Sequence, residues 1–254
     1  MSILGNSKIL SIVSYTLPKI QQRFLFWKKK KKEREFVIVR AAQEDYPCIQ
    51  ELLWKYYYPH EPTTAALGLG NKHNPIFDEE SDRVLVEGYT LVAKCKYNGD
   101  IMGACMNKTA CPWDPDVLDE FACGVSCPRT RELLHFYAYL QRAPCLWEKY
   151  CVHKIFDLCY VFVRTEDRGK GLGIVLMQAG KQLGTDCGYR VIRVDATSAY
   201  TAKICEKLKF KLVHEIPYCS YTGTGPAHEP IFKPPPPHTA CKVYVDTPFA
   251  VTSK

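Results

Sequence analysis

Arg168, Gly169, Lys170, Gly171, Leu172 and Gly173 are the residues of this 254-residue chain whose types and spacing point most directly to chemistry. The apolar run Val161-Phe162-Val163 precedes them, and Ile174 to Gly184 follows with helical spacing. A glycine-rich turn between a strand and a helix leaves backbone N–H groups free at the helix N-terminus. Those groups and the helix dipole bind a phosphate or pyrophosphate. Glycine permits the close approach, because it has no side chain. Spacing excludes three phosphate-binding patterns. A P-loop needs Ser or Thr directly after Gly-Lys, and here Gly171 follows Lys170. A dinucleotide fingerprint and a kinase loop both need a further glycine where this chain has Ile174. The pattern that remains is Arg-x-x-Gly-x-Gly, met by Arg168, Gly171 and Gly173.

The elements that must position this turn are legible as alternating periodicities. Phe36 to Val39 is a β-branched run and reads as a strand. Arg40 to Tyr58 reads as helix, starting near Asp45-Tyr46-Pro47, and Pro59 to Pro62 stops it. Leu67 to Asn74 reads as a loop and Arg83 to Ala93 as a strand. Lys94 to Met106 reads as a hairpin about Asn98-Gly99. Asn107 to Arg131 reads as an irregular excursion, and Arg131 to Pro144 as helix. Strands are expected at Lys154 to Val163, Val191 to Ala196 and Phe210 to Ile216, with a helix from Ala199 to Lys209. Tyr218 to Gly225 reads as a turn and Pro234 to Pro237 as a rigid extended piece. Lys242 to Val245 is expected to close the sheet. The alternation implies one mixed α/β layer structure without an internal repeat.

The strand, the Arg-x-x-Gly-x-Gly turn and the helix after it resemble the coenzyme A pyrophosphate loop of the GNAT superfamily of acetyltransferases. Insect-type arylalkylamine N-acetyltransferases are similar over roughly Phe36 to Val245. Thr197-Ser198-Ala199-Tyr200-Thr201 resembles their Ser-Ser-His-Tyr-Ser stretch. Phe232-Lys233-Pro234 followed by Pro237-His238 matches their C-terminal region. Glu61-Pro62-Thr63-Thr64 stands where they carry Glu-Pro-Leu-Asn. Asn107 to Lys149 matches poorly. Lys209 replaces the glycine of the usual Leu-Gly-Phe, a change at a helix C-cap.

The resemblance implies an α+β GNAT fold, with a central mixed, mostly antiparallel twisted sheet flanked by helices. It implies acetyl-coenzyme A as co-substrate and direct transfer of the acetyl group to a small arylalkylamine such as dopamine, tyramine, octopamine, serotonin or tryptamine. Pantetheine is expected beside Val161, Phe162 and Val163, where the strand splays from its neighbour, with the pyrophosphate at Arg168 to Gly173. Glu61 aligns with the family's general base, and Thr197 and Thr201 align with its two catalytic serines. A threonine hydroxyl keeps the same donor and acceptor capacity. Helix initiation is the alternative role for both threonines. Tyr200 is a further candidate donor to the leaving sulfur. The aromatic wall of Trp54, Tyr56, Tyr57 and Tyr58 could stack on an aryl substrate or belong to the core. His60 and His153 read as ordinary surface or core histidines.

Composition bounds these readings. A chain with 46% hydrophobic and 24% charged residues can bury one good core. The net charge of +7 stems mainly from an N-terminal head that has no acidic residue before Glu33 and carries five lysines from Lys28 to Lys32. Residues 1–34 are therefore expected to form a basic arm ahead of a domain at 35–254. Nucleic acid is not an expected partner, because a lysine run is usually a solvated tail. Membrane contact through the arm, or a mitochondrial presequence, is the minor alternative to a cytoplasmic monomer. Thirteen cysteines without a Cys-x-x-Cys pair argue for reduced apolar residues, with no metal site. Two other functions stay open: an aliphatic amine or polyamine acceptor, and a coenzyme A-binding protein without transfer activity.

Overall fold

The computed structural model describes residues 35–223 and 229–249. The expectations for the basic arm, and the end of the turn at Gly225, lie outside them. Seven strands form one sheet in the order β1-β2-β3-β4-β5-β7-β6. They are β1 (Phe36–Arg40), β2 (Leu91–Cys95), β3 (Ile101–Ala110), β4 (Ile155–Val163), β5 (Ile192–Ala196), β6 (Lys211–Pro217) and β7 (Ala240–Asp246). All neighbours are antiparallel except β4 and β5.

Side chains alternate between two apolar layers, as the period of a strand requires. Phe156, Leu158, Ile192 and Val194 face α7 (Leu172–Asp186) and α8 (Ala199–Lys207). Ile155, Phe162, Val243 and Val245 face the other side, with Ile49 and Leu53 of α1 (Tyr46–Tyr56), Phe77 and Leu85 of α3 (Pro75–Val86), and Leu133, Phe136 and Leu140 of α5 (Pro128–Arg142). Cys95, Cys105, Cys205 and Cys241 are buried, and all thirteen cysteines are free.

Several sequence readings are corrected. The strand expected over Arg83 to Ala93 is the end of α3, a turn and then β2. Asn74 caps α3 by accepting from Ile76 N at 3.1 Å, Pro75 opens it, and Phe77, Ser81, Val84 and Leu85 bury one face. Pro62 starts a helix after the break, α2 (Pro62–Ala66), with Glu61 as its N-cap. Asn107 to Arg131 is ordered: β3 continues to Ala110, and α4 (Asp114–Cys123) follows. A further short helix, α6 (Leu146–Tyr150), comes after Pro144. β7 does not close the sheet but lies between β5 and β6. The hairpin turns at Asn98-Gly99 as expected but runs from Leu91 to Ala110, and the strands and helices from Ile155 to Pro217 stand within two residues of their expected bounds.

Candidate functional site

β4 is paired with β3 along its whole length but with β5 only at Phe156↔Ile192 and Asp157↔Arg193. Beyond Asp157 the two parallel strands separate. A register shift on β4, where Cys159 is extra between the pairs Met106↔Tyr160 and Asn107↔Leu158, bends the strand at this point. Cys159, Tyr160 and Val161 are half-buried, unlike the fully covered start of the strand. Residues 158–163 therefore present one edge without a strand partner. That edge is a row of peptide groups able to bind an extended ligand.

The glycine-rich turn lies at the end of the same strand. Gly169 and Gly171 adopt φ of 77° and 80°, a region that favours glycine, and the space in front of each is open. The first backbone bonds of α7 run from Ile174 and Val175 to Gly171 O, so the amides of Leu172 and Gly173 lie ahead of the ladder. The turn thus fits a pyrophosphate through its backbone. Its basic side chains are engaged elsewhere. Arg168 donates to Val163 O and Tyr56 O, both at 3.0 Å, and ties β4 to the end of α1. Lys170 folds back onto Glu166 O at 3.1 Å and the buried Asp167 at 3.3 Å.

Glu61 is 4% exposed. Its carboxylate accepts from Thr63 N at 3.1 Å, Thr64 N at 2.7 Å and Thr63 Oγ1 at 2.6 Å. Thr63 Oγ1 stands 3.0 Å from Tyr137 Oη on α5. The threonine has one hydroxyl proton and gives it to Glu61, so Tyr137 donates to Thr63. Burial, and then the charge of Glu61, hold Tyr137 and Tyr57 well above the usual phenol range, so both remain neutral hydroxyls.

Ser198, rather than Thr197, is the N-cap of α8. Its Oγ accepts from Thr201 N at 3.0 Å and lies 2.8 Å from Thr201 Oγ1. Thr197 O accepts from Tyr218 Oη at 2.6 Å. His238 Nδ1 accepts from Ala199 N at 3.2 Å, and burial lowers its pKa. No hydrogen bond joins Glu61 to Thr197 or Thr201 among the described residues. Burial, then Cys241 and Glu61, hold the Tyr218 phenol well above its usual range, so it remains a donor to Thr197. Tyr200 is 61% exposed.

A cavity of about 490 Å³ opens between the splayed strands, α3, α4 and α5. Thr197, Tyr57, Tyr137 and Tyr160 line one part of it, and Glu80, Glu87, Asp114, Asp157 and Asp195 contribute carboxylates. Of the expected aromatic wall, Tyr57 lines the cavity. Tyr58 is core, stacked on Phe77 with ring centroids 5.0 Å apart, and Trp54 donates to Asp78 at 2.6 Å. Tyr137 and Asp157 were not among the expected site residues, and Thr63 was noted only as part of the Glu61-Pro62-Thr63-Thr64 stretch. Of these, Asp157 carried a signal: it is a carboxylate inside the apolar run Ile155 to Val163.

No family model matches the sequence. Solved structures do match. A mosquito arylalkylamine N-acetyltransferase-like 5b superposes with a TM-score of 0.78 at 24% identity, over 84% of this chain and 100% of that one. Arylalkylamine N-acetyltransferase 2 from Aedes aegypti gives 0.78 at 24% identity, over 84% and 98%. A Drosophila melanogaster polyamine N-acetyltransferase, which forms N-acetylagmatine, gives 0.72 at 24% identity, over 84% and 100%. The chain has the fold of these enzymes, the GNAT fold, with its mostly antiparallel open sheet flanked by helices. Among the described residues, no helix is long and apolar enough to cross a membrane.

Proposed function

We propose that this chain is an acetyl-coenzyme A-dependent N-acetyltransferase of small primary amines. The observation that carries the proposal is the departure of β4 from β5 after Asp157, with an open glycine turn at the end of the same strand. Bound acetyl-coenzyme A supplies a thioester whose acyl carbon a free amine attacks, with release of the thiol. The unpaired edge of β4 at Val161, Phe162 and Val163 holds the pantetheine and polarises the carbonyl. The amides from Gly169 to Gly173 hold the pyrophosphate, and Arg168 braces the loop.

An amine arrives as an ammonium, which has no lone pair. Tyr137 is donor to Thr63, so its oxygen accepts the amine proton from the cavity side. The proton then moves through Thr63 Oγ1 to Glu61 Oε2, the general base. The hydroxyls of Thr197 and Thr201 serve the leaving sulfur and the α8 terminus.

The sequence reading favours an arylalkylamine acceptor, and the rings of Tyr57, Tyr137 and Tyr160 in the cavity support it. The cavity's carboxylates support the second reading, an aliphatic amine or polyamine. Thiol release from acetyl-coenzyme A in the presence of tyramine or putrescine tests the activity. Turnover that falls strongly in Glu61→Gln supports it. Coenzyme A binding without turnover of any amine would favour the non-catalytic reading.

A further inference from the structure

The charged groups of the cavity form one row across the sheet. Lys108 on β3 is in register with Asp157 on β4, and Asp157 is in register with Arg193 on β5. Side chains in such positions point to the same face and approach within about 5 Å at Cβ. Neither flanking cation is hydrogen-bonded to Asp157. Lys108 turns to Glu80 Oε1 at 2.7 Å. Arg193 gives Asp195 two bonds, at 2.8 and 2.7 Å, and Leu140 O one at 2.9 Å. The row therefore alternates as Glu80, Lys108, Asp157, Arg193, Asp195, with one carboxylate in excess.

Asp157 carries that excess. It is 8% exposed, it lines the cavity, and its Oδ1 has no hydrogen-bond partner. The other cavity carboxylates are engaged. Asp114 accepts from Cys111 N at 2.8 Å, and Glu87 accepts from Thr109 N at 2.8 Å. A second acceptor in the same cavity is also unpaired: Gln141 Oε1 on α5. Arg193 Nη1 is the unpaired donor of the row, against two unpaired acceptors, and with surplus negative charge in the cavity the balance calls for a ligand that brings N–H groups and positive charge.

We propose that the acceptor carries a second cationic group, an ammonium or guanidinium, and that Asp157 and Gln141 bind it at the inner end of the cavity. The proposal rests on the amine acetyltransferase reading and decides between its two acceptor classes. Asp157 lies three residues before Tyr160 on β4. At about 3.3 Å per residue, less the contraction at the bulge, Tyr160 lies under ~10 Å further along the separated stretch. An extended diamine spans such a distance. The first amine would meet Tyr137 while the second group meets Asp157. Burial, partly offset by Arg193 and Lys108, pushes the Asp157 carboxyl up to about 6, so an arriving cation would restore its charge.

The test compares putrescine with butylamine, which lacks only the second ammonium, and with tyramine, on the full chain. The expected result is a kcat/KM for putrescine at least tenfold above that for butylamine, carried mainly by KM. Asp157→Asn should reduce that ratio tenfold or more, and Gln141→Leu should reduce it less. Equal use of putrescine and butylamine, or a ratio unchanged in Asp157→Asn, overturns the proposal. Faster turnover of tyramine than of putrescine does so as well, while leaving the acetyltransferase reading intact. Should no amine turn over, calorimetric titration with putrescine decides separately. Binding that is lost in Asp157→Asn supports the site although the activity reading falls, and absence of binding overturns both.

Discussion

Tyr137 and Glu61 are joined through a single hydroxyl: Thr63 Oγ1 lies 3.0 Å from Tyr137 Oη and 2.6 Å from Glu61 Oε2. Glu61 is thereby held in a helix cap, and one hydroxyl separates it from the cavity-lining Tyr137. If the proton travels this way, Tyr137→Phe should lower kcat about tenfold and Glu61→Gln by about a hundredfold or more. The double variant should be no slower than Glu61→Gln alone, because groups acting in one relay are not additive. Steady-state kinetics of the three variants decide it, and independent, multiplying losses would contradict the relay.

Asp157 gives a pH dependence of stability with a definite sign. Its carboxyl is raised in the fold from 3.8 to about 6, first by burial, with Arg193 and Lys108 opposing and Asp195 and Asp114 adding. The folded state therefore binds this proton more tightly than the unfolded chain does. Its contribution favours folding below about pH 4 and is lost as pH rises through about 6. In the absence of amine, Asp157→Asn should stabilise the protein at pH 7 by roughly 1 to 3 kcal/mol and hardly at all at pH 4. Denaturant melts at the two pH values measure this, and a variant less stable than the parent at pH 7 would contradict it.

The two glycines of the loop should respond differently. Gly171 has φ of 80° with nothing near a would-be Cβ, so Gly171→Ala costs about 1 to 2 kcal/mol through the backbone alone. Gly173 is in the first turn of α7, where alanine's Cβ would sit 3.4 Å from Ile204 Cδ1 and the backbone is helical. Gly173→Ala should leave the melting temperature nearly unchanged while weakening coenzyme A binding several-fold. Calorimetry of the two variants separates the effects.

Lys209 shows how a local rule can be read while its cost stays hidden. It occupies the left-handed region at φ 62° just past α8, where glycine would be unstrained. Lys209→Gly should raise stability by about 1 kcal/mol without changing activity. A loss of stability would mean that the lysine side chain contributes more than the strain removes.

The strand, glycine turn and helix from Ile155 to Asp186 were legible because they are local: a strand, glycines at positive φ and a helix terminus all fall within one short run. Glu61 was singled out only through resemblance, since nothing about a Glu-Pro pair says that it is buried in a helix cap. Arg83 to Ala93 misled because its apolar residues fit both periods, and only the cap at Asn74 and Pro75 makes Val84 and Leu85 helical. The cavity was beyond sequence reasoning for a different reason. Lys108, Asp157 and Arg193 are far apart in the chain, and register alone brings them into one row. That Lys108 and Arg193 hydrogen-bond Glu80 and Asp195 rather than Asp157 follows from no pattern in the chain.

The most direct test of the central claim is thiol release from acetyl-coenzyme A by the purified chain, with putrescine and tyramine as acceptors. Saturable turnover is expected, nearly abolished by Glu61→Gln and eliminated by bulky replacement of Gly171 and Gly173 together. Coenzyme A binding with no turnover of any amine, or turnover indifferent to Glu61, would contradict it.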